Sequence, residues 1–343
     1  MSQPHCWSEC LQRLSNDSNV NLASDLAIPG AEWLFIGCGS SFYLATAAAA
    51  TFNHLALPAR AIPASEILLY PELVIPRGHP SIPVMISRSG MTSEVLSAVR
   101  FLKEKRSIPA IAITCAAQQS IEALVDVTLK LLPADEKSTV MTRSFTSMLL
   151  GLQYLGATAA GNAGFRDDLM KLPEQVAPLL ETVPALIKEF VERREFDDYV
   201  FLAQGPLFGI ASEAMLKVTE SSCSYAQVFH AMEFRHGPKS IVDSETLVAF
   251  FVSESSYDAE IAVLEDMKQL GATTIVIANR LDQRARKAAD LAIELKLGVS
   301  EYARLAAYAV WGQLYGAFTG ISKGLNPDSP RNLSRVVTLE GQQ

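Results

Sequence analysis

Two segments of the chain recur at one fixed spacing. Residues 35–39 resemble residues 201–205, and residues 84–89 resemble residues 250–255, so both offsets are 166. Each segment is an apolar run that leads into a turn, as a buried strand does. A constant offset in two separate motifs indicates one α/β unit used twice. The alternative is two unrelated α/β domains of similar length.

The apolar runs alternate with helical patterns in both halves. The predicted strands of the first half are 33–38, 83–87, 110–114 and 127–132, and those of the second half are 199–203, 247–252, 274–278 and 291–297. Strands that alternate with helices predict a doubly wound, mainly parallel sheet flanked by helices. We expect a helix and loop over 1–30, a first domain over 31–160, a helical connector over 161–195, and a second domain with a C-terminal tail over 196–343. Within the connecting region, helices are predicted over 148–160 and 172–192.

Composition narrows the class of protein. The chain is 49% hydrophobic and 19% charged, which indicates a packed core, and its net charge of −8 argues against a nucleic-acid partner. No apolar run is long enough to cross a membrane, and no signal peptide is evident. The five cysteines are scattered and form no CxxC motif, so we expect neither a disulfide framework nor a metal site, and a cytoplasmic location is the default. No cofactor is expected.

The turn after the predicted strand 83–87 carries several groups that can bind an anion. Ser87, Ser89 and Thr92 offer hydroxyls, Arg88 offers a cation, and Gly90 allows close approach of the backbone. A helix N-terminus follows, which favours negative charge. Ser40 and Ser41, after strand 33–38, add hydroxyls at the same sheet edge. Together these groups favour a phosphate over the alternative, a simple helix cap.

Neither nucleotide-binding pattern fits this region. The segment 37–42 lacks the third glycine of a dinucleotide fingerprint, and the chain has no GKS or GKT sequence. A sugar phosphate therefore fits better than a nucleotide.

A second group of polar residues lies in the second half. Lys217 and Glu220 are three residues apart in a helical run and so share one face. His236 precedes Gly237 and Pro238, which places it in a rigid loop. The alternative for the first pair is a solvated surface ion pair.

These motifs together resemble those of the SIS (sugar isomerase) family. The resemblance is to the isomerase half of glucosamine-6-phosphate synthase and to stand-alone amino-sugar-6-phosphate deaminases and isomerases. It rests on five segments in the family's order: residues 37–41, 87–92, 217–220, 235–238 and 330–333. It implies two tandem SIS domains.

The resemblance also implies roles for individual residues. Ser40, Ser87, Arg88, Ser89 and Thr92 are expected to hold the 6-phosphate, and Ser41, Thr139 and Arg335 to contact the sugar. Glu220 is expected to move a proton between C1 and C2, and Lys217 to stabilise the developing charge. His236 is expected to assist ring opening from the partner subunit of a homodimer.

The chain departs from the synthase pattern in three places. Met1 is followed by Ser2 and Gln3, so we expect no glutaminase domain. The chain also carries Met141 where the synthase has a polar loop residue, and Arg335 in the region of the synthase's tail lysine. Arginine stays protonated and cannot form a Schiff base.

We therefore expect a phosphosugar aldose–ketose isomerase that acts on an amino-sugar 6-phosphate and releases ammonia to leave a ketose 6-phosphate. The alternatives are a sugar–amino-acid 6-phosphate deglycase, a transaminase-like isomerase without the glutaminase domain, and a non-catalytic phosphosugar sensor.

Overall fold

The computed structural model describes residues 2–337. The chain divides into two compact units. The first contains residues 2–137, 141–173 and 334–337 of the described chain, and the second contains residues 138–140 and 174–333. The short tail segment 334–337 therefore belongs with the first unit, although it follows the second in sequence.

The first unit is built on a five-stranded parallel sheet. Its strands are β1 (Glu32–Gly37), β2 (Ala59–Pro63), β3 (Ser81–Ile86), β4 (Ile111–Thr114) and β5 (Val127–Lys130). Its helices are α1 (Gln3–Ser15), α2 (Ser18–Asp25), α3 (Ser40–His54), α4 (Ala64–Leu69), α5 (Pro71–Val74), α6 (Ser93–Arg106) and α7 (Arg143–Ala159); α8 (Ala163–Val176) leads into the second unit.

The strand order of this sheet is β2-β1-β3-β4-β5, and all pairs are parallel. The direction of winding reverses between β1 and β3, where Ile36 pairs with Met85. Ligands of open α/β sheets bind in the crevice at such a switch point, outside the carboxyl ends of the strands. The turns after β1 and β3 therefore meet where a ligand is expected.

The second unit repeats this plan. Its strands are β6 (Asp198–Ala203), β7 (Ala226–His230), β8 (Thr246–Phe251), β9 (Thr273–Ala278) and β10 (Leu291–Glu294). Its helices are α9 (Leu179–Arg193), α10 (Phe208–Ser222), α11 (Ala231–Phe234), α12 (Tyr257–Gln269), α13 (Gln283–Ala288) and α14 (Leu305–Ser322). The order β10-β9-β8-β6-β7 is the order of the first sheet read from the opposite edge.

Both sheets are buried on their helix-covered faces. Leu34, Ile36 and Met85 belong to the core of the first unit, and Val200, Leu202 and Phe250 to that of the second. Strands covered on both faces read as continuous apolar runs rather than as alternating patterns. This is why the sequence located the central strands of both sheets.

The predicted α/β fold with two repeated units is confirmed. The 166-residue offset holds for β1 and β6, which begin at Glu32 and Asp198, and falls to 164 at the helices that begin at Ser93 and Tyr257. The turn before the second of these helices is therefore shorter. The edge strands β2 and β7 and the helix α14 were not predicted, and the predicted helix 172–192 is two helices, α8 and α9, that meet near residue 177. Within residues 2–337 no helix is both long enough and apolar enough to cross a membrane.

Candidate active site

Glycines shape the two turns that meet at the switch point of the first unit. A Cβ on Gly37 would lie 2.6 Å from the backbone carbonyl carbon of Ser41, so only glycine lets β1 approach the start of α3 this closely. Gly90 has a φ of 62°, and a Cβ there would lie 2.5 Å from the Cβ of Gln119. In both turns the backbone thus lies so close to a neighbouring segment that a side chain at the glycine would clash.

The hydroxyls of the turn after β3 are held by the turn itself. The Ser87 Oγ lies 3.0 Å from the Gly90 nitrogen and accepts its N–H, and it lies 3.1 Å from the Thr92 hydroxyl oxygen. The Ser89 Oγ accepts the N–H of Met91 at 3.2 Å. Thr92 is the N-cap residue of α6, so these hydroxyls surround a helix N-terminus. Ser40 and Ser41, at the start of α3, are buried at the neighbouring strand end.

The Arg88 side chain points to the C-terminal tail. It is buried, its Nη2 donates to the Arg335 carbonyl oxygen at 3.1 Å, and its Nη1 lies 3.9 Å from Glu136 Oε1. Burial lowers the pKa of Arg88, and Glu136 opposes that effect, so the guanidinium stays charged at neutral pH. Arg88 thus ties the turn to residue 335, and its backbone remains part of the turn.

The three residues that were predicted to contact the sugar have different partners. The Arg335 guanidinium donates to Asp135 Oδ1 at 2.6 Å within the first unit. Thr139 belongs to the second unit, where its N–H donates to the Asp328 carbonyl oxygen at 3.0 Å. Ser41 has a weak contact with the Met141 sulfur at 4.0 Å.

Glu136 is a buried carboxylate of the first unit that the sequence analysis did not single out. It accepts the backbone N–H groups of Thr142 and Arg143 at 2.9 and 3.2 Å, and the Thr142 hydroxyl at 2.6 Å. Buried carboxylates need such donors. Glu136 therefore organises the loop that begins α7.

The second unit places three ionisable side chains on one face of α10. Lys217 Nζ lies 3.2 Å from Glu213 Oε1 and 2.5 Å from Glu220 Oε2. The side chains of Lys217 and Glu213 are 1% exposed, and that of Glu220 is 19% exposed. Glu220 is therefore the member of this set that solvent or a substrate reaches. The alternative of a solvated surface ion pair is wrong for Lys217.

Lys217 keeps its charge despite its burial. Burial alone would lower its pKa, but the carboxylates of Glu213 and then Glu220 outweigh that effect, and the pKa of Lys217 lies above its usual value. A buried ammonium between two carboxylates is a fixed positive charge next to Glu220. Such a charge can stabilise an oxyanion that forms nearby.

Glu213 was not found from the sequence, although a signal was present. Its position four residues before Lys217 puts both on one face of a helix. What the spacing does not show is that α14 packs closely on α10: a Cβ on Gly316 would lie 2.7 Å from the Lys217 carbonyl, and glycines also line α14 at positions 312 and 320. The two helix backbones thus meet beside the ion pair, whose burial is a product of tertiary packing.

His236 lies in the loop after α11 and is exposed. Its backbone N–H donates to the Glu233 carbonyl oxygen at 2.9 Å, and Gly237 has a φ of 131°. Among the described residues its ring has no hydrogen bond or ion pair with Lys217 or Glu220. The structure therefore brings Lys217 and Glu220 together and leaves His236 apart from them.

No set of three or more His, Cys, Asp and Glu side chains within residues 2–337 is arranged to hold a metal ion. The polar groups described above are those of a hydroxyl-rich turn in the first unit and a carboxylate–ammonium–carboxylate set in the second.

The chain belongs to the SIS domain family. The SIS domain model matches residues 32–156 and 197–315, which are the two repeated sheets with their helices. This agrees with the resemblance seen in the five sequence motifs.

Several known proteins are similar to this chain. The glutamine–fructose-6-phosphate aminotransferase of Pyrobaculum aerophilum is 27% identical over 312 residues, which cover 89% of this chain and 51% of that protein. The chain thus spans about half the length of the curated relatives it matches. A glucosamine-6-phosphate deaminase structure from Thermotoga maritima is 28% identical with a TM-score of 0.76, covering 99% of this chain and 100% of that one.

A tagatose-6-phosphate ketose/aldose isomerase structure from Escherichia coli has a TM-score of 0.85 at 21% identity, covering 96% of this chain and 93% of that one. At this identity the likeness concerns the fold alone.

Proposed function

We propose that the chain is a phosphosugar aldose–ketose isomerase that acts on an amino-sugar 6-phosphate and releases ammonia to leave a ketose 6-phosphate. The observation that carries this proposal is the buried Lys217 ammonium held between Glu213 and the more exposed Glu220. A 1,2-proton shift needs one carboxylate that reaches both adjacent carbons, C1 and C2. It also needs a positive charge that stabilises the oxygen on C1 as that oxygen becomes negative.

The turn after β3 supplies the other half of the proposal. The hydroxyls of Ser87, Ser89 and Thr92 surround the N-terminus of α6, where the helix dipole favours an anion. A phosphate bound here lies far along the sugar from the reacting carbons. Its binding energy then positions C1 and C2 for the reaction.

The proposed reaction begins with opening of the sugar ring, which His236 assists. Glu220 takes the proton from C2 of the open-chain 2-amino aldose, and the electron pair of that C–H bond forms the C1–C2 double bond while negative charge develops on O1 next to Lys217. Glu220 then returns the proton to C1 while the nitrogen lone pair forms the C2=N bond, and the proton that the nitrogen gives up goes to O1, which leaves a C1 hydroxyl and a neutral C2=N imine. Water adds to C2, the C–N bond breaks, ammonia leaves, and a C2 ketone remains.

The comparisons support this substrate class through the names of the relatives. One relative is a glucosamine-6-phosphate deaminase at 28% identity over its full length, and the larger aminotransferases match over half of theirs. A transaminase-like activity needs an amine donor, and a deglycase needs room for an amino-acid tail. A sensor needs the phosphate turn but has no need of a buried charged set on α10, which favours an enzyme.

An ammonia-release assay tests the proposal directly. Glucosamine 6-phosphate, galactosamine 6-phosphate and a fructosamine-type 6-phosphate are incubated with the full chain, and ammonia and ketose phosphate are measured. Equal amounts of both products from an amino-sugar phosphate are expected. Release of an amino acid from the fructosamine-type 6-phosphate, with no product from the two amino-sugar phosphates, would indicate a deglycase instead. Binding of a phosphosugar without any product would indicate a sensor.

We further propose that the protein acts in the cytoplasm as a homodimer, with His236 of one subunit serving the active site of the other. The exposure of His236 and its lack of contact with Lys217 or Glu220 in the described chain support this arrangement. Mixing a Glu220→Gln chain with a His236→Ala chain is expected to restore about a quarter of the wild-type activity if subunits exchange freely and each site is built from two chains. Mixed chains without any recovered activity would assign each site to one chain.

A further inference from the structure

A cavity of about 690 Å³ lies at the carboxyl ends of β8, β9 and β10 in the second unit. Three loops form it, at residues 252–257, 278–282 and 297–304. Ligands of open parallel sheets bind at this edge. Glu213, Lys217 and Glu220 do not line the cavity, so it is separate from the proposed catalytic set.

Charged side chains of both signs line the cavity. Carboxylates come from Glu254, Asp282 and Glu301, and guanidinium groups come from Arg280 and Arg304. The lining thus carries one more negative charge than positive charge. Asn279 is also part of it and is buried, with its Nδ2 3.2 Å from Glu254 Oε1.

Arg304 is the buried group of this lining. Its side chain is 3% exposed, and its Nη2 lies 2.8 Å from Glu254 Oε1, whereas the Glu254 side chain is 50% exposed. The Nε of Arg304 is buried and has no hydrogen-bond partner among the described residues. A buried donor without an acceptor is costly, so an acceptor atom on a ligand would stabilise it.

The backbone N–H groups of the loop after β8 are already occupied by carboxylates of the same unit. Ser253 donates its N–H to Glu260 Oε2 at 3.0 Å, and Glu254 donates its N–H to Glu301 Oε1 at 2.6 Å. A phosphate dianion would meet these two carboxylates in place of free N–H donors. The loop therefore disfavours the ligand that its counterpart in the first unit is proposed to bind.

We propose that this cavity binds a hydroxylated amine that carries no phosphate, such as an unphosphorylated amino sugar. Hydroxyls both donate and accept, which matches a lining that contains carboxylates and the free Arg304 Nε. The ammonium group matches the excess of negative charge from Glu301 and Asp282. This second site lies beyond the proposed isomerase function and does not depend on it.

Calorimetric titration of the full chain with glucosamine, and separately with glucose at matched ionic strength, tests the proposal. Saturable binding of glucosamine is expected, with glucose weaker by about tenfold because it lacks the charge. Glu301→Gln is expected to weaken glucosamine binding by about tenfold. Absence of saturable binding up to about 100 mM glucosamine, an affinity too weak for a built site, would overturn the proposal.

Three further variants separate the effect of charge in the cavity lining from that of loop structure and from binding in the first unit. Glu301 also accepts the Glu254 N–H, whereas Arg280 is exposed, so Arg280→Glu changes the charge without removing a loop contact and is expected to tighten glucosamine binding severalfold. The matched control Asp258→Asn removes an exposed carboxylate of α12 that does not line the cavity, and Ser89→Ala alters only the phosphate turn. Both are expected to leave the affinity unchanged. Loss of glucosamine binding in Ser89→Ala would place the ligand in the first unit, and an Arg280→Glu protein with wild-type affinity would also contradict the assignment.

Discussion

The turn after β3 and the turn after β8 occupy the same place in the two sheets. The side chains that accept the backbone N–H groups of these turns differ. In the first unit, hydroxyls of the turn itself accept its N–H groups: Ser87 bonds to Gly90, and Ser89 bonds to Met91. In the second unit the Ser253 hydroxyl likewise accepts the Ser255 N–H, but carboxylates from elsewhere in the unit accept two other N–H groups: Glu260 accepts from Ser253, and Glu301 accepts from Glu254. A hydroxyl leaves room for an external anion, whereas a carboxylate takes the place of one.

This difference teaches how one duplicated fold can divide its tasks. A helix N-terminus at a sheet edge attracts negative charge in either unit. Where carboxyl groups of the protein already accept the N–H groups of the turn, those donors are not open to a phosphate, and the polar groups of the unit lie elsewhere. In the second unit those groups are Glu213, Lys217 and Glu220 on α10.

The largest expected effect comes from removing the proposed base in the second unit. Glu220→Gln is expected to lower kcat about 10²–10⁴-fold, because the amide cannot take the proton from C2. Turnover is measured on the best substrate from the ammonia-release panel. Glu233→Gln, which changes an exposed carboxylate of α11, serves as the control and is expected to keep wild-type turnover. A folded Glu220→Gln protein with normal kcat would remove the catalytic role from the second unit.

The next effect is on the pH dependence of folding stability. It comes from Glu260, which accepts a backbone N–H of the second turn, the one after β8. Burial raises the pKa of Glu260 to about 7, although hydrogen bonds from Ser256 and Ser253 oppose this. The folded state then holds a proton that the unfolded state releases near pH 4.5, so folding stability falls as pH rises from about 4.5 to 7 and levels off above that. By linkage the full difference is about 3 kcal/mol.

Glu260→Gln is expected to remove this part of the pH dependence, because the amide does not ionise. Urea denaturation of both proteins at pH 4.5 and pH 8 gives the difference in unfolding free energy, in which other titrating groups cancel. The variant should gain about 3 kcal/mol relative to the parent between the two pH values. Parallel stability curves for the two proteins would mean that Glu260 ionises normally in the second turn.

A smaller effect is expected where α14 packs on α10. Gly316→Ala places a Cβ 2.7 Å from the Lys217 carbonyl, so the helices must separate, at a cost of about 2 kcal/mol in unfolding free energy. Gly164→Ala in α8 is the matched control, because its nearest atom would be 3.7 Å away. Thermal and urea denaturation measure both. Equal stability of the two variants would show that α14 and α10 do not need the close backbone contact at Gly316.

The smallest effect compares the two turns by a single hydroxyl. Ser89→Ala in the first turn is expected to raise KM for the phosphosugar about tenfold with little change in kcat, because it removes one hydrogen bond to the proposed phosphate. Ser255→Ala in the second turn is expected to leave KM unchanged, since Ser255 donates to Glu301 instead. A rise in KM for Ser255→Ala but not for Ser89→Ala would reverse the assignment of the two turns.

The candidate active site could be predicted in part from the sequence, because some of its causes are local. Lys217 and Glu220 are three residues apart, and helix geometry alone puts them on one face. The serines and the glycine after β3 follow a buried strand, and local backbone chemistry makes such a turn a candidate anion site. The parallel pairing of the strands follows from the alternation of strands and helices, whereas the reversal of winding at β1 depends on the edge strand β2, which the sequence did not predict.

The amino-acid sequence thus determined the elements whose causes are local: the buried strands, the hydroxyl-rich turn and the face shared by Lys217 and Glu220. Tertiary structure decided which charges are buried and what they meet. Glu260 accepts a backbone N–H of the turn after β8, and Arg88 donates to a carbonyl oxygen 247 residues away. α14 packs against the α10 backbone at Lys217. These outcomes depend on contacts between distant segments, and burial, which sets the strength of every charge interaction, is a property of the packed fold.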